Sequence, residues 1–244
     1  MRILEIPNKK TVYVSDIHGD IKSLKLVKGL PEYDNPEYQW VYGGDYIDGE
    51  PYGLEVVKFV MNEVGNGNYA TMGNHDNMLL SFIRNPDGYK RLYYGNGGKT
   101  TLSHIFPGGH SAKGYASYIK KEYPELISFI SKLPTAVESA NQIFVHAGVN
   151  PDIPWRTTSD EDAIWIRNDY YNEGNTTGKT VVSGHTPTYL IGGYPACPIV
   201  ALPGEPKRYV IDAGEHAMNR HLNVLVLDEK GEFLRKHIVG TDVR

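Results

Sequence analysis

The spacing of apolar and polar positions changes several times along the chain, and each change predicts an element. Thr11-Val12-Tyr13-Val14 is a β-branched and aromatic run too short for a helix, and predicts a strand. Asp20 stands where a helix cap belongs, and Ile21, Leu24 and Val27 then share one helical face. Residues 39–42 predict a second strand and residues 54–64 a helix whose apolar face includes Val56, Val57, Phe59 and Val60. A third strand follows at 69–72 and a helix at 76–83. From about 85 to 133 helix signals dominate, with many Gly, Tyr and Lys residues, which predicts a lobe of several helices. Strands return at 142–145, 180–183, 207–211, 222–227 and 233–239, the last two pairing across the Lys230-Gly231 turn. Strand–helix alternation followed by strands predicts an α/β fold. Its form is two mixed β-sheets packed as a sandwich flanked by helices, with the helical lobe inserted into one domain spanning 1–244.

Composition narrows the function classes. A net charge of −4 gives no global field favouring nucleic acid or an anionic membrane, so neither partner is expected. A phosphate substrate stays open, because bound cations dominate a local field. The one cysteine, Cys197, rules out a disulfide within the chain, and the cytoplasm is the expected location. It lies between Pro195 and Pro198 with no sign of an activated thiol. Residues 1–10 lack the apolar core of a secretion signal, and no stretch approaches a membrane span. The 18 tyrosines are read as core and surface filler.

Chemistry enters where strands end. Ser15-Asp16-Ile17-His18-Gly19, Gly44-Asp45-Tyr46-Ile47-Asp48, Gly73-Asn74-His75-Asp76, His146-Ala147-Gly148 and Gly184-His185-Thr186 each follow an apolar run. Loops at one end of a sheet converge, so such residues can form one site. Carboxylate, imidazole and amide oxygen together suit borderline divalent ions such as manganese, iron or zinc better than calcium. Two such ions about 4 Å apart would generate a hydroxide near neutral pH.

These five ordered segments resemble the signature of the calcineurin-like metallophosphoesterases, and more narrowly the bacterial and phage branch of the phosphoprotein phosphatases. The likeness extends to Asn96-Gly97-Gly98-Lys99-Thr100-Thr101-Leu102, Trp165-Ile166-Arg167 and Ile211-Asp212-Ala213-Gly214. The resemblance implies two divalent ions, manganese first, with iron, zinc or nickel as alternatives. Asp16 and His18 would hold one ion, Asp45 would bridge, and Asn74, His146 and His185 would hold the other. It implies His75 as proton donor to the leaving oxygen, Asp48 orienting its ring, and Arg167 with Asn74 on the substrate phosphate. The implied reaction is hydrolysis by a metal-bridged hydroxide without a phosphoenzyme. Phosphoserine or phosphothreonine in a protein is the first substrate class, and a dinucleoside tetraphosphate or other nucleotide the second. A metal-bound but catalytically quiet binding module is the reading from another class.

The chain departs from that pattern at Asp48-Gly49-Glu50, where the branch carries Asp-Arg-Gly, so one of two phosphate-binding arginines is missing. Glu50 would repel a phosphate if it faced inward. Arg84, Lys90, Arg91 and Arg156 are the candidates to supply the charge. Asp76 stands where Glu is usual, and Ser15 where Gly is frequent. The run from Gly174 to Lys179 has the wrong spacing for a phosphate loop and is read as a turn before a strand. His216 and His221 are expected at the surface or along a substrate groove.

Overall fold

Eleven strands form in the computed structural model, which describes residues 1–106, 108–191, 198–214 and 221–240. They are β1 (Ile3–Glu5), β2 (Lys10–Val14), β3 (Tyr38–Tyr42), β4 (Tyr69–Ala70), β5 (Ala136–Glu138), β6 (Gln142–Val145), β7 (Thr180–Ser183), β8 (Val200–Leu202), β9 (Arg208–Val210), β10 (Leu222–Leu227) and β11 (Phe233–Val239). The first sheet has the order β1-β5-β6-β7-β9-β8 and the second β11-β10-β2-β3-β4. Both are mixed. β2, β3 and β4 run parallel while β10 joins antiparallel, and β6, β7 and β9 run parallel between antiparallel neighbours.

Side-chain alternation explains the sandwich. Tyr13, Val41, Leu225 and Leu227 point from the second sheet to Val137, Phe144 and Val182 of the first, closing one core between the sheets. Their neighbours Val12, Val14, Trp40, Val224 and Val226 point the other way, into a core shared with helices. Both faces are covered, so these strands are apolar over most of their length rather than alternating. β2 shows the pattern: Val12, Tyr13 and Val14 are all fully buried.

Among the described residues, nine α-helices cover the sandwich and build the lobe: α1 (Ile21–Leu26), α2 (Gly53–Gly65), α3 (Asn74–Arg84), α4 (Pro86–Gly95), α5 (Gly98–Ile105), α6 (Ala112–Glu122), α7 (Pro124–Lys132), α8 (Asp160–Trp165) and α9 (Asn168–Asn172). Asp20 does cap α1, accepting from Ser23 N at 3.0 Å. Four of the helices, α4 to α7, fill the expected lobe segment and pack on α2 and α3 through Tyr93, Leu102, Tyr115, Ile119, Leu126 and Ile130. Pro86 and Pro124 open α4 and α7, where a missing N–H costs nothing.

Three strands escape a sequence reading. β1, β5 and β8 are three residues each, too short for a period to show. The strand expected at 69–72 shortens to two residues, because Met72 N leaves the ladder for Pro134 O at 2.9 Å. The 174–179 run is a turn into β7, held by Asn175 Oδ1 accepting from Thr177 N at 3.0 Å. Cys197 and His216 lie outside the described residues, while His221 is half-buried immediately before β10. No described helix is long and apolar enough to cross a membrane.

Candidate active site

Every candidate residue but Arg167 leaves a strand or enters the helix that follows one. Asp16 and His18 come after β2, Asp45 and Asp48 after β3, Asn74 and His75 open α3 after β4, and His146 and His185 follow β6 and β7. Within each sheet these strands are parallel, so their exits share one edge. The sheets meet beneath it, where Tyr13 Oη donates to Val145 O at 3.0 Å.

The backbone here is strained. Among the described residues, five non-glycine residues have positive φ: Asp16, His18, Asp45, Asp48 and His185. All five are candidate site residues. Each such residue costs on the order of 1 kcal/mol, held by the surrounding fold. The sharp turns at these strand ends are thus made by polar residues as well as by glycines. Two glycines serve instead for close approach. A Cβ on Gly184 would lie 1.9 Å from Asp16 Oδ2, and one on Gly73 would lie 2.2 Å from Asp45 Oδ1.

Asp45 is the hub. Its Oδ2 lies 3.4 Å from His146 Nε2, 3.7 Å from His18 Nε2 and 3.9 Å from His75 Nε2. Burial works against its charge, but His146, His75 and His18 outweigh burial and hold the carboxyl well below the usual range. His146 faces acceptors on both sides: Gly43 O at 2.9 Å from Nδ1, and Asn74 Oδ1 at 2.9 Å from Nε2. A neutral ring satisfies only one of them, so the Nε2 side calls for a positive charge. Burial opposes a charge on this ring, but Asp45 and Asp16 push His146 up to about 10. Burial and the charges of His146 and Arg167 push His185 down to about 2, leaving it neutral.

The residues present fit divalent ions. Asp16 Oδ2 and His185 Nε2 are buried with no hydrogen-bond partner, which is costly unless a ligand meets them. Two groups of donor atoms lie within 4.8 Å of one another: His18, Asp45 and His75, and Asp45, His146 and His185. Asp45 belongs to both, as a bridge requires. The first group also holds His75, which was expected as a proton donor and not as a ligand. Asp16 accepts from His185 N through Oδ1 at 3.0 Å, which leaves Oδ2 as its unpartnered oxygen.

Asp48 and His75 meet as expected, with Oδ2 and Nδ1 2.8 Å apart. Asp48 is fully buried, and the lobe satisfies its other oxygen: Tyr93 Oη donates to Oδ1 at 3.0 Å and Thr101 Oγ1 at 2.9 Å. Thr101 Oγ1 also accepts from Asp48 N at 3.0 Å. Burial raises the Asp48 carboxyl, while the His75 bond and these donors act to lower it. Sequence reasoning missed Tyr93 and the part of Thr101, although the run from Asn96 to Leu102 had marked the neighbourhood. It also passed over Asp76, whose fully buried carboxylate accepts from Asp45 N at 2.9 Å, Tyr46 N at 3.2 Å and Gly73 N at 3.0 Å.

A cleft of about 470 Å³ opens over this edge, with His18, Asp45, Asn74, His75 and His185 in its lining. Arg167, solvent-exposed, lines it too, and its Nη1 donates to Thr186 Oγ1 at 2.6 Å and His185 O at 3.1 Å. Asn96, Trp165, Pro187, Tyr189, Leu190 and Asp212 complete the described lining; none of them was assigned a role from sequence. None of the four cations considered for the missing arginine is there. Arg156 pairs with Glu138, Lys90 and Arg91 line a separate cleft in the lobe, and Arg84 is exposed at the end of α3. Glu50 is absent from the cleft's lining as well.

Comparison with known proteins places this arrangement. The chain is 28% identical over 160 residues to Shewanella-like protein phosphatase 1 of Plasmodium berghei, covering 59% of this chain and 40% of that protein. It is 25% identical over 141 residues to a symmetrical bis(5'-nucleosyl)-tetraphosphatase of Vibrio parahaemolyticus, covering 58% and 45%. It thus spans less than half the length of either. A crystal structure of a candidate diadenosine tetraphosphatase superposes with a TM-score of 0.63 over 97% of both chains; at 18% identity that is a likeness of fold. The calcineurin-like phosphoesterase family model matches residues 9–218, a span that holds all five strand-end motifs, and the chain belongs to that family.

Proposed function

We propose that this protein is a metal-dependent phosphohydrolase whose first substrate class is a phosphomonoester of the protein-phosphatase type. The observation that carries the reading is Asp45 Oδ2 facing three imidazole Nε2 atoms within 3.9 Å, beside an Asp48–His75 pair at 2.8 Å. Asp16, His18, Asp45, Asn74, His146 and His185 are the residues to hold two divalent ions, manganese first. Bound there, such ions supply Lewis acidity and lower the pKa of water. Arg167 and the Asn74 amide orient the phosphate, the planar guanidinium matching two of its oxygens. His75 gives its proton to the leaving oxygen, and Asp48 keeps the ring oriented and charged for that task. The lone cysteine accords with a cytoplasmic location.

A dinucleoside tetraphosphate is the second reading. It is favoured by the tetraphosphatase relative and by a cleft holding one guanidinium among its described residues. Both readings are tested by offering p-nitrophenyl phosphate, a phosphoserine peptide and diadenosine tetraphosphate to the protein with manganese and with chelator. Turnover of the two monoesters, lost with chelator, is expected; turnover of the dinucleotide alone selects the second reading. Manganese at a hundredfold excess over its dissociation constant should add about 2.7 kcal/mol to folding stability, read as a rise in Tm. A raised Tm without turnover of any substrate would indicate a binding module.

Tyr93→Phe tests the support of the pair. It deletes one hydrogen bond to Asp48 and keeps the ring that packs on Phe82 at 5.1 Å. A loss of about 1 kcal/mol, or roughly fivefold in kcat, is expected with Tm nearly unchanged. An unchanged kcat would show that Thr101 alone holds Asp48.

A further inference from the structure

We propose that Asn96 is a phosphate-binding residue, the lobe's donor to the cleft that Arg167 also lines. This deepens the phosphohydrolase reading and rests on it. Among the described residues lining the cleft, Asn96 is the single one that the lobe contributes. Arg167 spends Nη1 on Thr186 and His185, so only part of its fork remains for a ligand. A tetrahedral phosphoryl group points its oxygens in diverging directions, and one planar fork meets at most two of them. Beside the Asn74 amide, a further donor in the lining can meet the rest.

Asn96 is built to be that donor. It closes α4, with its backbone N–H on Leu92 O at 3.2 Å and Tyr93 O at 3.3 Å. Its side-chain Nδ2 donates to Leu92 O at 2.8 Å, which fixes the amide. An amide nitrogen carries two hydrogens, so one remains for a ligand. Gly97 then takes a φ of +86°, and a Cβ there would lie 3.6 Å from both Asp48 Cβ and Gly49 N. The corner carrying Asn96 therefore rests on the Asp48-Gly49 turn, and Thr101 fastens it there through two hydrogen bonds to Asp48. Gly49 offers backbone alone at this place. The resulting grip pairs one guanidinium with two neutral amides, those of Asn74 and Asn96. Such a grip favours a dianionic phosphate over a singly charged one less than two guanidinium groups would.

The test is calorimetric titration of the manganese-loaded protein with inorganic phosphate, with KM and kcat measured alongside on p-nitrophenyl phosphate. Asn96→Ala is expected to weaken phosphate binding about tenfold and to raise KM with kcat held within a few-fold, for one hydrogen bond to a charged group. Asn96→Asp keeps the size of the side chain and turns a carboxylate on the anion, so it should weaken phosphate more than Ala does. A helix-capping role alone would lower Tm and leave phosphate affinity unchanged. Wild-type phosphate affinity in both variants, with the parent protein active, would overturn this assignment and spare the phosphohydrolase reading. A parent protein that neither binds phosphate nor turns over any ester would overturn both.

Discussion

Asp45→Asn is expected to lower kcat/KM by at least a thousandfold, equivalent to about 4 kcal/mol of transition-state stabilisation. Asparagine suits the test because it tolerates the positive φ of 55° at this position and can still accept the His75 N–H that Asp45 Oδ1 takes at 2.9 Å. The fold should therefore persist, with circular dichroism unchanged. What disappears is the negative charge that faces His146, His18 and His75 and belongs to both donor groups. Two cations close together repel, and a bridging carboxylate offsets that repulsion in a way a neutral amide does not. Metal content after dialysis should fall from two ions per chain to one or fewer. Activity within tenfold of the parent, at full metal content, would remove Asp45 from the bridge.

His75→Ala carries the second large effect, and it separates two roles the geometry leaves side by side. His75 pairs with Asp48 through Nδ1 at 2.8 Å, and its Nε2 joins His18 and Asp45 in a donor group. As a proton donor, it should matter in proportion to the need of the leaving oxygen. A phosphoserine peptide, with an alkoxide to expel, should lose about 10²- to 10⁴-fold in kcat. p-Nitrophenyl phosphate, whose leaving group needs no proton, should lose about tenfold or less on the same grounds. As a metal ligand, His75 would give equal losses on both esters together with a drop in bound manganese. Asp48→Asn should follow the proton-donor pattern at smaller amplitude, since the ring stays but loses its carboxylate. Asp48 is fully buried, and Tyr93 and Thr101 both donate to its Oδ1, so an Asn that keeps those bonds turns its amide NH2 on the His75 Nδ1–H and leaves that donor unpaired.

Legibility differed among parts of the chain for physical reasons. Val12-Tyr13-Val14 and the run from Leu222 to Leu227 were readable as strands because covering both faces makes every position but Asn223 apolar. Ile3–Glu5 and Ala136–Glu138 were not readable, since three residues carry no period and their pairing with each other spans more than 130 positions. The start of α3 was expected two residues late. Asn74 and His75 look like loop residues by composition, but Asp76 gathers three backbone N–H groups and draws the helix start forward to them.

By itself the order of polar triplets after apolar runs determined which residues would gather, because parallel strands bring their exits to one edge whatever the loops between them do. It also determined the chemistry of the donors, which belongs to the side chains and not to their arrangement. Which donor atoms lie close together was decided in three dimensions: His75 comes within reach of His18 and Asp45, while Asp16 turns one oxygen to His185 N. The support of Asp48 by Tyr93 and Thr101, and the arrival of Asn96 at the cleft, were decided there too. Those contacts join the lobe to the strand ends across about 50 residues of chain. Local pattern records a residue's own periodicity and neighbours, whereas such contacts arise only once packing sets the distance between two separately formed elements.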